Sequence, residues 1–524
     1  MGSVSNDVTT RRAGRRDRAG ALPALMAFGA AATCAALAVG ETAAALLRPQ
    51  AAPVIAIGSA AIDLAPTAVK EWAVRSFGTS DKTVLLTGIY TVMALLAVGL
   101  GPVAAHRRAA AVVLPAAFGA LGVWAALARP GARPVDALPS AAAALAAAAV
   151  LLVLLPRRTA GRRPPVPGSP GRREVLTAGA VVALSAGLGP GARYLSDRRT
   201  DVGAARAAVV LPPPARPLPA LPPAAGPRIP GLPPLRTPTA DFYRVDTALT
   251  LPRIDPRDWT LRIHGLVDRP LELSFDELLA LPMEELDHTL TCVSNEVGGP
   301  YAGTTRWLGV SLPGLLRRAG LRTGAEQLLG RSEDGMTIGT PVASVLDGRA
   351  ALLAIGMDGA PLPVEHGFPC RTVVPGLYGY TSATKWLVDL EVTTFAARDP
   401  YWVQRGWDRT GEVRTASRID VPAAFARVPG GDVTVAGTAW ATHRGVAAVE
   451  VRVDGGPWQE AVLAADAGPD VWRQWHHTWR SAAPGTHRLE VRATDATGAV
   501  QEETRRPPFP AGATGWHSTV VTVL

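Results

Sequence analysis

Thr289-Leu290-Thr291-Cys292-Val293-Ser294-Asn295-Glu296-Val297-Gly298-Gly299 begins as a β-type run and ends in a Gly-Gly turn. Its one reactive side chain is Cys292. No second cysteine stands close enough in sequence for a CxxC redox pair or a zinc knuckle. Three roles stay open for it: a nucleophile, a soft metal ligand, or a small buried residue. A disulfide to Cys370 is a further reading for an exported domain.

Further on, the chain reads Arg306-Trp307-Leu308-Gly309-Val310, then Met357-Asp358-Gly359-Ala360-Pro361-Leu362-Pro363. His366-Gly367-Phe368-Pro369-Cys370-Arg371, Val374-Pro375-Gly376 and Lys385-Trp386-Leu387 follow. This ordered series resembles the sulfite oxidase family of molybdopterin-dependent oxidoreductases, in its bacterial membrane-anchored branch. The resemblance runs from about Phe242 to the C-terminus. It implies a molybdenum–molybdopterin cofactor and an α+β cofactor domain of the sulfite oxidase type. In that family the cysteine of a C-x-x-N motif binds molybdenum, which makes Cys292 the implied metal ligand and catalytic residue.

The resemblance also implies the cofactor's anchors. Arg371 can grip the pterin phosphate with paired hydrogen bonds. Lys385 is a point charge suited to the same group, and Thr384 beside it adds a hydroxyl. His366 is expected to hydrogen-bond nearby. Tyr243 and Arg244 match the segment that closes over the pterin, and Ser332 sits where the family has a polar pterin contact. Gly298 and Gly299 would let backbone come close to the cofactor. Two departures stand out. Sulfite oxidases carry arginines just after the cysteine motif, where this chain has Glu296 and Val297. Their catalytic tyrosine corresponds to Trp407 in Trp402-Val403-Gln404-Arg405-Gly406-Trp407. An acidic, apolar pocket suits sulfite poorly, so the cofactor follows from the resemblance and the substrate does not.

The 524 residues have a formal charge of +9, unevenly spread. Residues 1–206 hold 23 basic and 10 acidic side chains, and the remainder 30 and 34. The basicity therefore belongs to the N-terminal part. No basic, aromatic-interleaved motif in the second half points to nucleic acid. Three cysteines exclude a disulfide scaffold. Only three lysines occur, Lys70, Lys82 and Lys385.

The N-terminal part reads as an α-helical membrane bundle. An apolar run from Ala21 to Leu47 follows Arg11, Arg12, Arg15, Arg16 and Arg18. Similar runs lie at about 83–105, 109–128, 138–155 and 175–192, each able to cross a ~30 Å hydrocarbon core. With the first arginines in the cytoplasm, Arg107 and Arg108 and the loop with Arg157, Arg158, Arg162, Arg163, Arg172 and Arg173 fall inside too. Five spans then place the C-terminal half outside the cytoplasm. Residues 51–82 read as an interfacial or re-entrant segment, a sixth span being the alternative. Arg172-Arg173 resembles a twin-arginine export signal, or serves only as a positive-inside anchor. His106 is the only histidine in this part, so it offers no bis-histidine haem site.

The expected organisation is a membrane domain over 1–205, a Pro-rich spacer over 206–238, a molybdopterin-binding catalytic domain over 239–420, and an immunoglobulin-like β-sandwich over 421–524. Ser274 is read as a helix N-cap with Glu277 as its capping-box partner, and Gly320 as the stop of a helix from Leu312. Beyond Asp432 alternating runs such as Val449-Glu450-Val451-Arg452-Val453, turning at Asp454-Gly455-Gly456, predict the sandwich. In the resembled family such a domain supports a homodimer. His476 and His477 face opposite ways on one strand and cannot share an ion. With no C-x-x-C-H motif and no iron–sulfur cysteine set, electrons are expected to pass to an external partner, a haem protein or a quinone-linked carrier. The reading is a multi-pass, outward-facing cell-membrane enzyme that transfers oxygen on a small, sulfur-containing substrate. The alternatives are a reductase of oxidised sulfur or nitrogen compounds and a non-catalytic tethered binding module.

Overall fold

The computed structural model describes residues 5–77, 80–155 and 172–524. The expected cytoplasmic loop with Arg157, Arg158, Arg162 and Arg163 lies outside the described residues. The chain divides into two compact units, Met1–Asp201 with Asp246–Leu251, and Val202–Val245 with Pro252–Leu524.

The first unit is helical: α1 (Ser5–Leu47), α2 (Pro53–Leu64), α3 (Thr67–Phe77), α4 (Asp81–His106), α5 (Ala110–Leu127), α6 (Leu138–Leu154) and α7 (Arg172–Arg199). Among the described residues five helices are long and apolar enough to cross a membrane, at the five places expected. α2 has 12 residues, roughly 18 Å of helix, too short for a sixth span. One buried carboxylate in this unit, Asp136, is held at 3.0 Å by both Arg48 and Arg129, so its charge is matched where water is scarce.

The second unit opens with α8 (Gly203–Ala208) and the Pro-rich stretch. That stretch is expected to be an extended, semi-rigid spacer. It lies as a strap along the α+β part and the sandwich, where several of its amides and carbonyls find partners. Ala215 N donates to Met283 O at 2.8 Å, and Leu218 N to Glu285 Oε2 at 2.8 Å. Arg306 donates to the Leu218 and Pro219 carbonyls, and Trp472 Nε1 to Leu235 O at 2.9 Å. Where the proline-rich backbone is extended it makes no bonds to itself, which leaves those groups available to neighbours.

The catalytic part is α+β. Its strands are β1 (Thr260–Gly265), β2 (Leu271–Ser274), β3 (Met283–Thr291), β4 (Ala302–Ser311), β5 (Gln327–Ser332), β6 (Thr337–Pro341), β7 (Leu352–Met357), β8 (Ala360–Pro361), β9 (Arg371–Val373) and β10 (Leu387–Thr393). One sheet runs β2-β1-β10-β5-β6; the other runs β3-β4-β7-β8, with β9 on β7. α9 (Phe275–Leu279) starts at the expected capping box: Glu277 N donates to Ser274 Oγ at 3.2 Å, and Ser274 N to Glu277 Oε2 at 2.8 Å. α10 (Leu312–Ala319) ends at Gly320, which takes φ +73°. β7 is buried on both faces. Leu353 and Ile355 enter the core shared by the two sheets, while Leu352 and Ala354 face a second cluster with Phe242 and Trp307. This explains its near-continuous apolar run.

The remaining strands are β11 (Ala416–Val421), β12 (Arg427–Val428), β13 (Gly431–Trp440), β14 (Val446–Val453), β15 (Gln459–Glu460), β16 (Val462–Leu463), β17 (Arg473–Ala482), β18 (Gly485–Asp495) and β19 (His517–Val523). They form two facing sheets, β11-β13-β17-β16 and β12-β19-β18-β14-β15, the expected sandwich. Trp475 and a row of valines fill its core. The hairpin turns at Asp454-Gly455-Gly456, between β14 and β15. His476 and His477 are both half-buried on β17.

Candidate active site

β3 ends at the cysteine. Cys292 N donates to Tyr301 O at 2.9 Å, and Asn295 N returns to Cys292 O at 3.1 Å. Asn295 Oδ1 accepts from Tyr301 N at 2.8 Å. The asparagine thus closes the loop on itself and fixes where the thiol sits. Gly298, expected to let backbone come close to the cofactor, sits at φ +81°, and a side chain there would strike the His517 ring of the sandwich. The glycine serves the seam between the two domains.

Cys292 is buried. Burial pushes its thiol up, while hydrogen bonds at Ser294 and the charge of Lys385 pull the other way. A bound metal would override the first effect, since a coordinating thiol is deprotonated. The disulfide alternative is not realised: Cys292 and Cys370 are both free. Cys370 lies in the apolar core with Leu353 and Val374, and burial raises its thiol strongly.

Arg371, its neighbour on β9, points the other way. It is 2% exposed, donates to His366 O at 3.0 Å, and lies 4.9 Å over the Trp307 ring. No carboxylate pairs with it among the described residues, and burial lowers its pKa to about 10. Gly367, at φ +108°, lets Arg371 and Lys385 close in; a Cβ there would be 3.2 Å and 3.1 Å from theirs. Thr384 N donates to Thr372 Oγ1 at 2.8 Å, which ties the Thr384-Lys385 segment beside β9. Lys385 Nζ donates to Glu365 O at 3.0 Å. Ser332 closes β5 opposite Leu387, and its buried Oγ has no partner.

Phe242 packs edge-on to Trp307 at 6.1 Å and to His366 at 5.6 Å, and stacks on Tyr243 at 5.4 Å. Burial, then the nearby Cys292, pushes the Tyr243 phenol well above its ordinary value, with Arg371 opposing. Arg244 follows in the chain, partly exposed. The structure therefore brings Cys292, Tyr243, His366, Arg371, Thr384, Lys385 and Ser332 to one side of the two sheets. Trp407 is placed differently. It is buried in an aromatic cluster with Tyr380 at 5.7 Å and Phe509 at 5.3 Å, a cluster that includes Val293 and Tyr378.

Three residues were missed from the sequence. Tyr378 lies in the same cluster; burial pushes its phenol up to about 12, and Cys292 contributes. His288 is fully buried on β3; burial lowers its pKa to about 3, and Nε2 has no partner. Trp307 Nε1 is likewise without a partner, beside Arg371. Only the Val-Pro-Gly turn before Tyr378 hinted at the first, Trp307 stood inside the quoted Arg306-Trp307 motif without a role assigned to it, and nothing marked His288.

These features fit the expected cofactor. A buried guanidinium without a carboxylate, with partnerless Ser332 Oγ and Trp307 Nε1 on the same side, is a cradle for a polar anionic group. Arg371, Lys385, Thr384 and Ser332 would hold its phosphate and pterin, and Cys292 would supply the thiolate. When bound, molybdenum–molybdopterin supplies a two-electron centre that gives or takes an oxygen atom. Among the described residues no group of three or more histidine, cysteine or carboxylate side chains forms a separate metal site.

The profile of the oxidoreductase molybdopterin binding domain matches residues 248–402, and that of the bacterial Ig domain residues 416–491. Sulfite oxidase of Gallus gallus is 32% identical over 321 residues, covering 51% of this chain and 69% of that protein. Mitochondrial sulfite oxidase of Mus musculus is 30% identical over 341 residues, covering 55% and 62%. The chain thus spans about two thirds of these relatives. The uncharacterized oxidoreductase YuiH of Bacillus subtilis (strain 168) is 32% identical over 181 residues, 34% of this chain and 88% of that one. Among solved structures, the sulfane dehydrogenase SoxCD from Paracoccus pantotrophus aligns with a TM-score of 0.48 at 23% identity, over 55% of this chain and 83% of that one. The chain belongs to the sulfite oxidase family and is a molybdenum-dependent oxidoreductase with a molybdopterin cofactor.

Proposed function

We propose that this protein is a membrane-anchored enzyme that moves an oxygen atom to or from a small, sulfur-containing substrate at the outer face of the cell membrane. The observation that carries the site assignment is Arg371, a buried cation without a carboxylate, set in one cluster with Cys292, Tyr243 and Lys385. Cys292 is the metal's thiolate. Arg371, Lys385, Thr384, Ser332 and His366 grip the cofactor, and Tyr243 and Arg244 cover it. Trp407, and Tyr378 with it, border the reacting side. The domain limits follow the sequence reading, with the sandwich supporting a homodimer.

Five apolar helices support anchoring, and the arginines that flank them support the outward orientation. Electrons pass to or from an external carrier, a haem protein or a quinone-linked one. Metal analysis of the purified full chain tests the chemistry: stoichiometric molybdenum is expected, and its absence from protein made in a cofactor-competent host would sink the reading. Protease added to cells stripped of any outer envelope tests the orientation. The catalytic unit should be digested from outside; protection until lysis would reverse the topology.

A further inference from the structure

β3 and β4 pair antiparallel, so each cross-strand pair shares a face of the sheet. On one face Asp287 meets Arg306 at 2.6 Å, and Thr289 Oγ1 accepts from Trp472 N at 2.7 Å. The other face carries Leu286 with Trp307, His288 with Thr305, and Leu290 with Gly303. Leu286, Leu290 and Trp307 pack in one cluster with Phe242, the ring that meets His366 edge-on. A Cβ at Gly303 would come 2.9 Å from the Phe242 ring, so this glycine makes room for it. His288 and Thr305 therefore stand in the row that faces the cofactor side.

Both are fully buried, and each keeps an atom without a partner among the described residues, His288 Nε2 and Thr305 Oγ1. Trp307 Nε1, two residues along β4, is a third. The tautomer of His288 is set from behind. Nδ1 lies 3.3 Å from Asp470 O, and a carbonyl only accepts, so Nδ1 carries the proton. Nε2 is then a bare acceptor. Burial keeps the ring neutral, and the charge of Arg371 adds to that. An acceptor, a hydroxyl and an N–H donor in one row match a flat heterocycle with N–H and carbonyl groups along its edge. Left unmatched, such buried atoms cost free energy that a bound ring offsets.

We propose that His288 and Thr305 are further cofactor-holding residues. His288 Nε2 accepts from an N–H of the pterin ring, the Thr305 hydroxyl bonds beside it, and the Asp470 carbonyl, reaching in from the sandwich, fixes the imidazole's tautomer. The proposal rests on the site assignment above and extends the cradle from Arg371 on β9 to β3 and β4.

The test uses the full chain as wild type, His288→Leu and Thr305→Val, each made in a cofactor-competent and a cofactor-deficient host. Molybdenum and fluorescent pterin are counted per chain as purified and during incubation in mild guanidinium. Each variant should lose both about tenfold faster than wild type, since one hydrogen bond accounts for about a factor of ten. Cofactor-free Thr305→Val should melt with cofactor-free wild type, because it gives up only an unpartnered hydroxyl at nearly equal shape. Loss at the wild-type rate in both variants, as a trapped water serving these atoms would give, overturns the proposal alone. So does a melting temperature that falls as far in the cofactor-free variants as in the loaded ones, which marks a role in the fold only. Wild type from the competent host without molybdenum or pterin overturns the site reading and the proposal with it. If His288→Leu fails to fold, Thr305→Val decides.

Discussion

The sandwich gives its buried arginines carboxylate partners, and the α+β domain does the same for Arg306 and Arg349 but not for its most deeply buried one, Arg371. Five partly or fully buried arginines of the sandwich each face a carboxylate: Arg418 with Asp420, Arg444 with Asp495, Arg452 with Glu490, Arg473 with Asp466, and Arg492 with Glu450, all between 2.7 and 3.2 Å. Arg371 is buried more deeply than any of them and faces only carbonyls and an indole. A charge taken out of water costs several kcal/mol unless something compensates. The sandwich compensates within the fold. The α+β domain leaves one cation, Arg371, for a ligand, and that one exception separates a binding domain from a supporting one.

The largest expected effect is at Cys292. Cys292→Ser should reduce turnover to background while the thermal unfolding curve keeps its shape. A hydroxyl is a harder and far less acidic ligand than a thiol. Full turnover in the serine variant would remove the ligand assignment.

Next come the two neighbours on β9. Arg371→Ala should lose the cofactor, at a cost of roughly several kcal/mol of binding, because a buried anion loses its paired donor. In cofactor-free protein the same change should be neutral or stabilising, since an unpaired buried charge is removed. Cys370→Val should keep molybdenum, because Cys370 packs as a small apolar residue on the opposite face. Metal content and unfolding of the loaded and stripped forms read all three. Molybdenum lost from the valine variant and kept in the alanine one would reverse the strand's orientation.

Much of this contrast was legible in the sequence, for stated reasons. The capping box at Ser274, the stop at Gly320 and the turn at Asp454-Gly455-Gly456 are local signals, and each appears where the residues place it. The opposed directions of Cys370 and Arg371 follow from strand alternation alone. The strap's partners were not legible, because proline content predicts an extended backbone and says nothing of what lies beside it. At Gly298 the glycine reports a close approach, but one approaching group, His517, lies more than two hundred residues away in sequence and could not be named from it. Tyr378 and His288 act through neighbours that only the folded chain supplies, so no spacing could mark them.

On the sandwich side, Asp495 sharpens the comparison. Burial would raise its pKa, yet hydrogen bonds from Thr497 and Arg444 lower it to about 2. Its unfolded value is about 3.9. A depressed folded pKa adds stability that is complete above the unfolded value and is lost as pH falls toward the folded one. The melting temperature should therefore drop between about pH 4 and pH 2. Asp495→Asn should remove that part of the slope and cost about 1–3 kcal/mol at neutral pH, because Arg444 loses its charge partner. An unchanged acid limb in the variant would place the titrating group elsewhere.

The smallest effect belongs to the strap. Leu218 N donates to Glu285 Oε2 at 2.8 Å, and Arg306 lies 3.6 Å from the same carboxylate while holding the Leu218 and Pro219 carbonyls. Glu285→Gln keeps a hydrogen-bond acceptor but removes the charge, so it should cost under about 1 kcal/mol. The strap's exposed prolines should nevertheless become more open to a proline-tolerant protease, because local opening costs less than global unfolding. The rate of cleavage between residues 214 and 223, compared in wild type and variant under native conditions, measures that opening. If the segment were a free spacer, both proteins would be cut there at the same fast rate, whatever stands at position 285. Slow cleavage of the wild type and faster cleavage of the variant, at an almost unchanged melting temperature, is the outcome a bonded strap requires.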